Sequence, residues 1–204
     1  MKNFYCLVFA VISLVSCNQK ENSTSSIKTV AAMKDVMWKG ELQGKINLDT
    51  ISDQKGLFGL GPISGLTGEI LINDGTVYTS KVTSDSTMLV KKNKHVEAPF
   101  FVYGNVTNWQ KIELPKEVND LNTLEKFIDE TKADAKKPFI FKLKGMVDAA
   151  KIHIQNLAKG TKVSSPKEAH QGQVTYDLEN EEVEIIGFFS RKHQGIFTHH
   201  DSFA

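Results

Sequence analysis

Hydrophobic and polar residues alternate along much of the chain after residue 56, which is the pattern of half-buried β-strands. Between the first two such runs lies Asn73-Asp74-Gly75, and these residue types supply the positive φ values of a tight hairpin turn. The alternating or apolar segments that we predict to be strands are GEILI, GTVYTSKV, PFFVYGNV, PFIFKLKG, AKIHIQNL, GQVTYDL and VEIIGFFS.

Helical periodicity is confined to short segments of the chain. The clearest helix is predicted for residues 119–133, where apolar side chains recur every three or four positions and form one stripe. A shorter helix is predicted for residues 31–39, and a helical turn for residues 49–54. The sequence therefore predicts a β-rich α+β fold, with mixed sheets in two packed subdomains and few short helices.

The size and net charge of the chain limit the classes of molecule that it is expected to bind. The chain has 204 residues, of which 40% are hydrophobic, so it can bury an ordinary core. Its 25 basic and 24 acidic residues nearly cancel, so we expect no binding of nucleic acid. Small molecules are the expected partners.

The N-terminal residues 1–17 are typical of an export signal, with Lys2 followed by an apolar run that is short for a membrane span. Their Leu-Val-Ser-Cys ending resembles the lipobox of bacterial lipoproteins, which implies lipidation of Cys17. The alternative is an ordinary cleaved signal in which Cys17 is incidental. We expect an exported protein anchored to a bacterial membrane by lipid, on the periplasmic side or at the cell surface.

The expected domain organisation follows from this signal. Residues 18–26 are polar and predict a flexible tether, and residues 27–204 form the folded domain. Because no cysteine follows Cys17, this domain would be stabilised by packing without disulfides.

A glycine-rich run, residues 56–68, leads directly into Glu69. Glycines in such a run are commonly turn residues, and the spacing fits neither a dinucleotide fingerprint nor a P-loop. Turn formation does not explain Glu69, which directly precedes an apolar strand, where an unpaired inward carboxylate would be costly to bury. Turn formation therefore accounts for the glycines and leaves the position of Glu69 open.

The segment FGLGPISGLTGEILINDGTVY resembles the Gly-Leu-Gly-Thr-Phe-x-x-Leu-Asp-Gly-Glu-x-x-x-x-Asp-Gly segment of the α-acetolactate decarboxylase family. Further segments resemble the family in the same order: EAPFFVYGNV, PFIFKLKG and GFFSRKHQGIF. The resemblance extends from about Val30 to Phe197, and it implies the fold of that family.

The resemblance also implies the chemistry, which is conversion of 2-acetolactate to (R)-acetoin and CO2 at a Zn²⁺ ion. Glu69 would be the metal-site and catalytic carboxylate, and Leu66 would line the substrate pocket. Pro62, which stands where the family has a threonine, would lie in the wall of the same substrate pocket. Lys142 replaces the family's catalytic arginine and keeps the charge without the bidentate geometry. A homodimer is implied as well.

The chain departs from the family near its end. Family members continue to a His-x-His pair and a third histidine that hold zinc, whereas this sequence ends at GIFTHHDSFA. We expect that the natural chain continues beyond Ala204, the alternative being a degenerate copy. His199 and His200 are weak candidates for metal ligands, since adjacent residues of a strand point to opposite sides and histidines at an exposed end more often face solvent. His193 could join one of them across a turn.

The alternative function is a non-catalytic surface lipoprotein of the same fold, which binds a small hydroxy-keto acid or a protein partner. Pro62, Lys142 and the missing His-x-His pair favour this alternative. Glu69 and the glycines before it favour the enzyme.

Overall fold

The structure is a computed structural model that describes residues 26–131, 137–199 and 202–204. The predicted export signal with Cys17, and the tether up to residue 25, lie outside the described residues. His200 lies outside them as well. Within the described ranges, no helix is both long and apolar enough to cross a bilayer.

Strands dominate the described part of the chain, and the helices are short. The strands are β1 (Lys28–Val30), β2 (Ile46–Asn47), β3 (Leu57–Pro62), β4 (Glu69–Asn73), β5 (Thr76–Ser84), β6 (Thr87–Lys92), β7 (Glu97–Ala98), β8 (Phe101–Asn105), β9 (Phe139–Ile154) and β10 (Val174–Phe189). The helices are α1 (Met33–Lys39), α2 (Leu121–Thr131) and α3 (Pro166–Ala169), with 3₁₀ turns at Leu48–Thr50 and Ser64–Leu66.

The largest sheet has six strands in the order β1-β8-β3-β4-β5-β6. The predicted hairpin is confirmed, because Asn73 pairs with Thr76 and both Asp74 and Gly75 have positive φ. The β-rich class with several sheets and short helices is confirmed too. Mixed sheets were expected, but each pairing between these strands is antiparallel, both in the hairpins of consecutive strands and in the pairs β1–β8, β3–β8 and β2–β7.

The last four predicted strands form two strands instead. β9 and β10 have 16 residues each and pair as one long ribbon, from Phe139 opposite Phe189 to Ile154 opposite Val174. The prediction of separate strands was wrong because the central residues do not alternate in hydrophobicity. Hydrogen bonds to the partner strand keep the backbone of these exposed central residues in the extended conformation.

Two hydrophobic clusters cover the two faces of the six-stranded sheet. Ile70 and Ile72 of β4 face a cluster closed by Leu48. Leu71, on the opposite face, packs at the edge of a second cluster that includes Phe188 of the ribbon. Because side chains alternate along a strand, Glu69 lies on the same face as Leu71, between sheet and ribbon.

α1 and α2 each begin two residues later than their sequence patterns predicted, and residues 132–133 of the predicted second helix lie outside the described residues. α1 ends at Gly40, which has a φ of 66°, and its buried side chains form a cluster with residues near α3. α2 follows Asp120, whose Oδ1 accepts a hydrogen bond from the Thr123 N–H at 2.7 Å. The turn predicted for residues 49–54 is the short 3₁₀ turn at Leu48–Thr50.

Candidate functional site

Glu69 is a partly buried carboxyl group at the first position of β4. Its backbone pairs with Pro62 on one side and Ser80 on the other. Its Oε1 accepts a hydrogen bond from the backbone N–H of Gln155 at 3.0 Å, just beyond the end of β9. Burial raises the pKa of Glu69 to about 7, although the bond from Gln155 acts in the opposite direction. This carboxyl group can therefore gain or lose a proton near neutral pH.

Glu69 lines a cavity of about 160 Å³ between the sheet and the C-terminal segment. His199 lines the same cavity, so a carboxyl group and an imidazole share one small space. The remaining wall is mainly apolar, formed by Leu60, Phe100, Phe101, Val102, Ile196 and Phe197. Few polar groups in an apolar cavity are typical of a small-molecule site.

Two glycines allow the backbone to pack closely around Glu69. A Cβ on Gly61 would lie 2.6 Å from the Phe100 carbonyl oxygen. A Cβ on Gly68 would lie 2.4 Å from the Ser80 carbonyl oxygen, and the φ of Gly68 is 157°. The glycine-rich run is therefore more than a flexible connection, because side chains at these two positions would displace the strands that hold Glu69.

Pro62 and Leu66 lie near Glu69 in the chain but do not line its cavity. Pro62 is buried opposite Glu69 in the β3–β4 pair. Leu66 is fully buried in the hydrophobic cluster of α1 and has a φ of 53°. The structure thus places Leu66 in the core, where it supports the turn before Glu69, and not at the wall predicted from the resemblance.

Lys142 lies in a different cavity from Glu69. Its Nζ is 3.1 Å from a carboxylate oxygen of Glu184 and lies over the rings of Phe58 and Trp109, at 5.3 and 5.6 Å from their centroids. The two cavities share no lining residue. The structure therefore does not bring Lys142 and Glu69 together, and the catalytic role of Lys142 beside Glu69 stays a prediction.

The histidines are only partly brought together. The His170 ring centroid is 6.3 Å from that of His199. His193 instead lies with its Nδ1 2.6 Å from Ser190 Oγ, and its ring stacks on Phe197. Of the predicted histidines, His199 reaches the cavity of Glu69, His193 does not line it, and His200 is not described.

The side chains around Glu69 offer few ligands for the implied zinc ion. Across residues 26–131, 137–199 and 202–204, no three His, Cys, Asp or Glu side chains form a metal-binding group. Glu69 and His199 supply two donors at one cavity, fewer than the three or four protein ligands of zinc sites. The described residues therefore do not form the implied zinc site.

Gln155 is a site residue that the sequence did not indicate. Its backbone N–H binds Glu69, and its side chain is buried with an exposed fraction of 7%. The two residues are 86 positions apart, and only the docking of β9 beside the sheet brings them together. No local pattern carries this information.

Fold and site together define a β-rich α+β domain with a small cavity that holds an ionisable carboxyl group. The family model of α-acetolactate decarboxylase matches residues 29–200, and the chain belongs to that family. The family is one of decarboxylases, so a small-molecule substrate is implied. No protein of curated function matches the chain.

Several solved structures have a similar fold. The α-acetolactate decarboxylase from Bacillus subtilis strain 168 has a TM-score of 0.72 and 21% identity, covering 87% of this chain and 72% of that one. The acetolactate decarboxylase from Bacillus subtilis subspecies spizizenii has a TM-score of 0.69 and 22% identity, covering 83% and 71%. A Staphylococcus aureus protein of unknown function, similar to α-acetolactate decarboxylase, has a TM-score of 0.69 and 14% identity, and the match covers 87% of this chain and 72% of that one. These likenesses show the fold.

Proposed function

We propose that this protein decarboxylates 2-acetolactate, or a closely similar 2-hydroxy-3-oxo acid, to (R)-acetoin or its equivalent and CO2. The observation that supports this proposal is the Glu69 carboxyl group in its small cavity, with a pKa of about 7. A group that is partly protonated near neutral pH is suited to donate a proton during turnover. Membership of a decarboxylase family supports the reaction class.

The substrate's own ketone supplies the electron sink. When the bond to the carboxylate breaks, CO2 leaves and the bonding electron pair passes into the neighbouring carbonyl, which gives an enediolate. Protonated Glu69 then transfers its proton to the carbon that lost CO2, and the ketone re-forms as acetoin. Glu69 regains a proton from solvent. One proton is thus consumed for each CO2 released, and delivery from one wall of the cavity yields one enantiomer.

The cavity assists this reaction in two ways. Its apolar wall excludes water from the enediolate, so that the proton comes from Glu69. The His199 imidazole lies on the same cavity and can donate a hydrogen bond to the carboxylate of the substrate or to the developing oxyanion.

The direct test is to incubate the purified protein with racemic 2-acetolactate and to measure acetoin and its chirality against the spontaneous reaction. We expect (R)-acetoin at a rate above the protein-free rate, and roughly a 100-fold lower rate for Glu69→Gln. Glu181→Gln is the matched control, since Glu181 is exposed on the ribbon. An equal rate for wild type and Glu69→Gln would overturn the role of Glu69.

A second candidate function is binding of a small hydroxy-keto acid without turnover. It is favoured by the position of Lys142, which is paired with Glu184 in a separate cavity and leaves the Glu69 cavity without that cation. Calorimetry with 2,3-dihydroxy-2-methylbutanoate, which cannot decarboxylate by this route, separates the two functions. Saturable binding that Glu69→Gln weakens, together with no acetoin above the spontaneous rate, would establish the binding protein.

We also propose export with lipid attachment at Cys17, a bound zinc ion, and a homodimer. The Leu-Val-Ser-Cys segment supports the first, and the family supports the other two. Labelled palmitate incorporation, lost in Cys17→Ser, tests the anchor. Metal analysis and light scattering of the protein purified from its native cells test the zinc and the dimer.

A further inference from the structure

The second cavity, which contains Lys142, lies away from Glu69 and has a volume of about 500 Å³. Its apolar wall includes Phe58, Val106 and Trp109, and its charged residues are Lys55, Lys142 and Asp74. We propose that this cavity is a separate binding site for a small monocarboxylate with an apolar or aromatic body. The proposal does not depend on the decarboxylase activity.

The aromatic wall is preformed. The rings of Phe58 and Trp109 are 5.2 Å apart at an interplanar angle of 85°, which is a favourable edge-to-face contact. Phe58 is buried in β3, whereas Trp109 belongs to an irregular segment and is 45% exposed. A half-exposed indole that is fixed against a buried ring offers an apolar surface to a ligand.

The ammonium group of Lys142 is also held in position, and it retains hydrogen-bond donors that a ligand can use. The Lys142 ammonium lies within 6 Å of both ring centroids, and Glu184 holds it from another side at 3.1 Å. Because an ammonium group has three donors and Glu184 occupies one, two donors remain for an incoming carboxylate. The Lys142 side chain is 28% exposed, so ligand can reach it.

The other charges in the lining favour an anion over a cation. Lys55 adds a second ammonium group to the cavity. The carboxylate of Asp74 is already engaged, because its Oδ1 accepts a hydrogen bond from the Gly56 N–H at 2.6 Å. The carboxylate of Glu184 lies outside the lining and is engaged by Lys142 and by the Asn73 amide. The lining therefore presents two ammonium groups, one engaged carboxylate and an aromatic wall, which suits an amphipathic monocarboxylate.

The experiment uses the fluorescence of Trp109. The chain has two tryptophans, and Trp38→Phe leaves Trp109 as the sole reporter. We expect 3-phenylpropionate to change its emission saturably, and the neutral 3-phenylpropionamide to bind at least about tenfold more weakly. No saturable change, or equal binding of acid and amide, would overturn the proposal.

Variants in the Trp38→Phe background locate the bound carboxylate. Lys142→Met is expected to weaken 3-phenylpropionate binding about tenfold, and Lys55→Met to weaken it less, since Lys55 lacks the fixed position of Lys142. Lys144→Met is the matched control, on the same strand but outside the cavity lining, and should bind like wild type. Equal losses in Lys142→Met and Lys144→Met would contradict the assignment, and Lys55→Met decides if Lys142→Met does not fold.

Glu69→Gln separates this site from the decarboxylase cavity. We expect Glu69→Gln to leave 3-phenylpropionate binding unchanged, because Glu69 does not line the Lys142 cavity. Loss of binding in Glu69→Gln would mean that the acid occupies the Glu69 cavity, which overturns a separate site. An absence of acetoin formation would affect the proposed function alone.

Discussion

The carboxylate of Glu69 accepts a hydrogen bond from the backbone N–H of Gln155, 86 residues later in the chain. This bond joins the first residue of β4 to the residue that follows β9. It ties the titration of Glu69 to the docking of the β9–β10 ribbon on the sheet. The pH dependence of stability therefore reports on the site even without a substrate.

The first prediction concerns the loss of stability as pH rises from acidic to neutral. The native pKa of Glu69 is about 7 and its ordinary value is 4.5, so the native state holds a proton that the unfolded chain loses between these values. Folding stability from this group is present below pH 4.5 and is lost as pH rises to about 7. Between pH 5 and pH 8 the loss is about 2 kcal/mol.

Urea unfolding of wild type and Glu69→Gln at pH 5 and pH 8 measures this loss. Glutamine cannot ionise, so the stability difference between the two pH values should shrink by about 2 kcal/mol in Glu69→Gln. Glu181→Gln, on the exposed ribbon, should keep the wild-type difference. An unchanged difference in Glu69→Gln would show that Glu69 titrates normally.

The second prediction compares two glycines of the ribbon. A Cβ on Gly187 would lie 2.2 Å from the ring of Phe141, its cross-strand neighbour, whereas a Cβ on Gly145 would meet nothing within 4 Å. Gly187→Ala should therefore destabilise by about 1–3 kcal/mol. Gly145→Ala should be neutral or stabilise by up to about 1 kcal/mol. Thermal unfolding checks both, and equal effects would contradict this packing.

The third prediction concerns Arg191, which links the C-terminal segment to α2. Its guanidinium group contacts both Glu125 and Asp129 and also donates to Ser202 Oγ at 3.1 Å. Arg191→Met should destabilise by about 1 kcal/mol, because these partly exposed pairs are screened by water. The stability of Arg191→Lys should lie between those of wild type and Arg191→Met, since one ammonium group cannot bind two carboxylates as the planar guanidinium group does.

Denaturant unfolding at low and high salt provides the readout for Arg191. We expect the loss in Arg191→Met to become smaller in high salt, as for ion pairs near the surface. Lys192→Met is the control for loss of a positive charge at the neighbouring exposed position. A loss in Lys192→Met as large as that in Arg191→Met would point to net charge and away from the specific contacts.

The fourth prediction tests the packing of Phe203. Its ring is buried against Phe189 and Phe141, with centroids 5.4 and 5.7 Å away. Phe203→Ala should destabilise by about 3 kcal/mol through lost burial and a residual cavity. Leu121→Ala removes an apolar side chain that is 55% exposed and should cost well under 1 kcal/mol. A small effect of Phe203→Ala would show that this segment packs loosely.

Local signals in the sequence predicted local structure well. The Asn73-Asp74-Gly75 turn is confirmed because the residues that need positive φ are the residues that make the turn. The continuous ribbon was missed, since its exposed centre is held by the partner strand and lacks alternation. Strand continuity there is a tertiary effect.

The candidate site was predictable only in part. The role of Glu69 was predicted from the family resemblance, after turn formation had left a carboxylate before an apolar strand unexplained. The contact of Gln155 with Glu69 and the direction in which the Lys142 side chain points were not predictable, because both depend on how the ribbon docks on the sheet. The resemblance placed Lys142 and Glu69 in one site, whereas the side chains of this chain line two cavities.

The length of the β9–β10 ribbon fixes the distance between the two packed ends of the ribbon. Its 16 residues span about 50 Å, with Phe139 packed near one end and Ile154 buried at the other. One residue inserted near Gly145 would turn every later side chain of β9 to the opposite face. Two inserted residues would restore the facing but lengthen the strand beyond its anchors. The length of the ribbon therefore determines whether the backbone N–H of Gln155 reaches the carboxylate of Glu69.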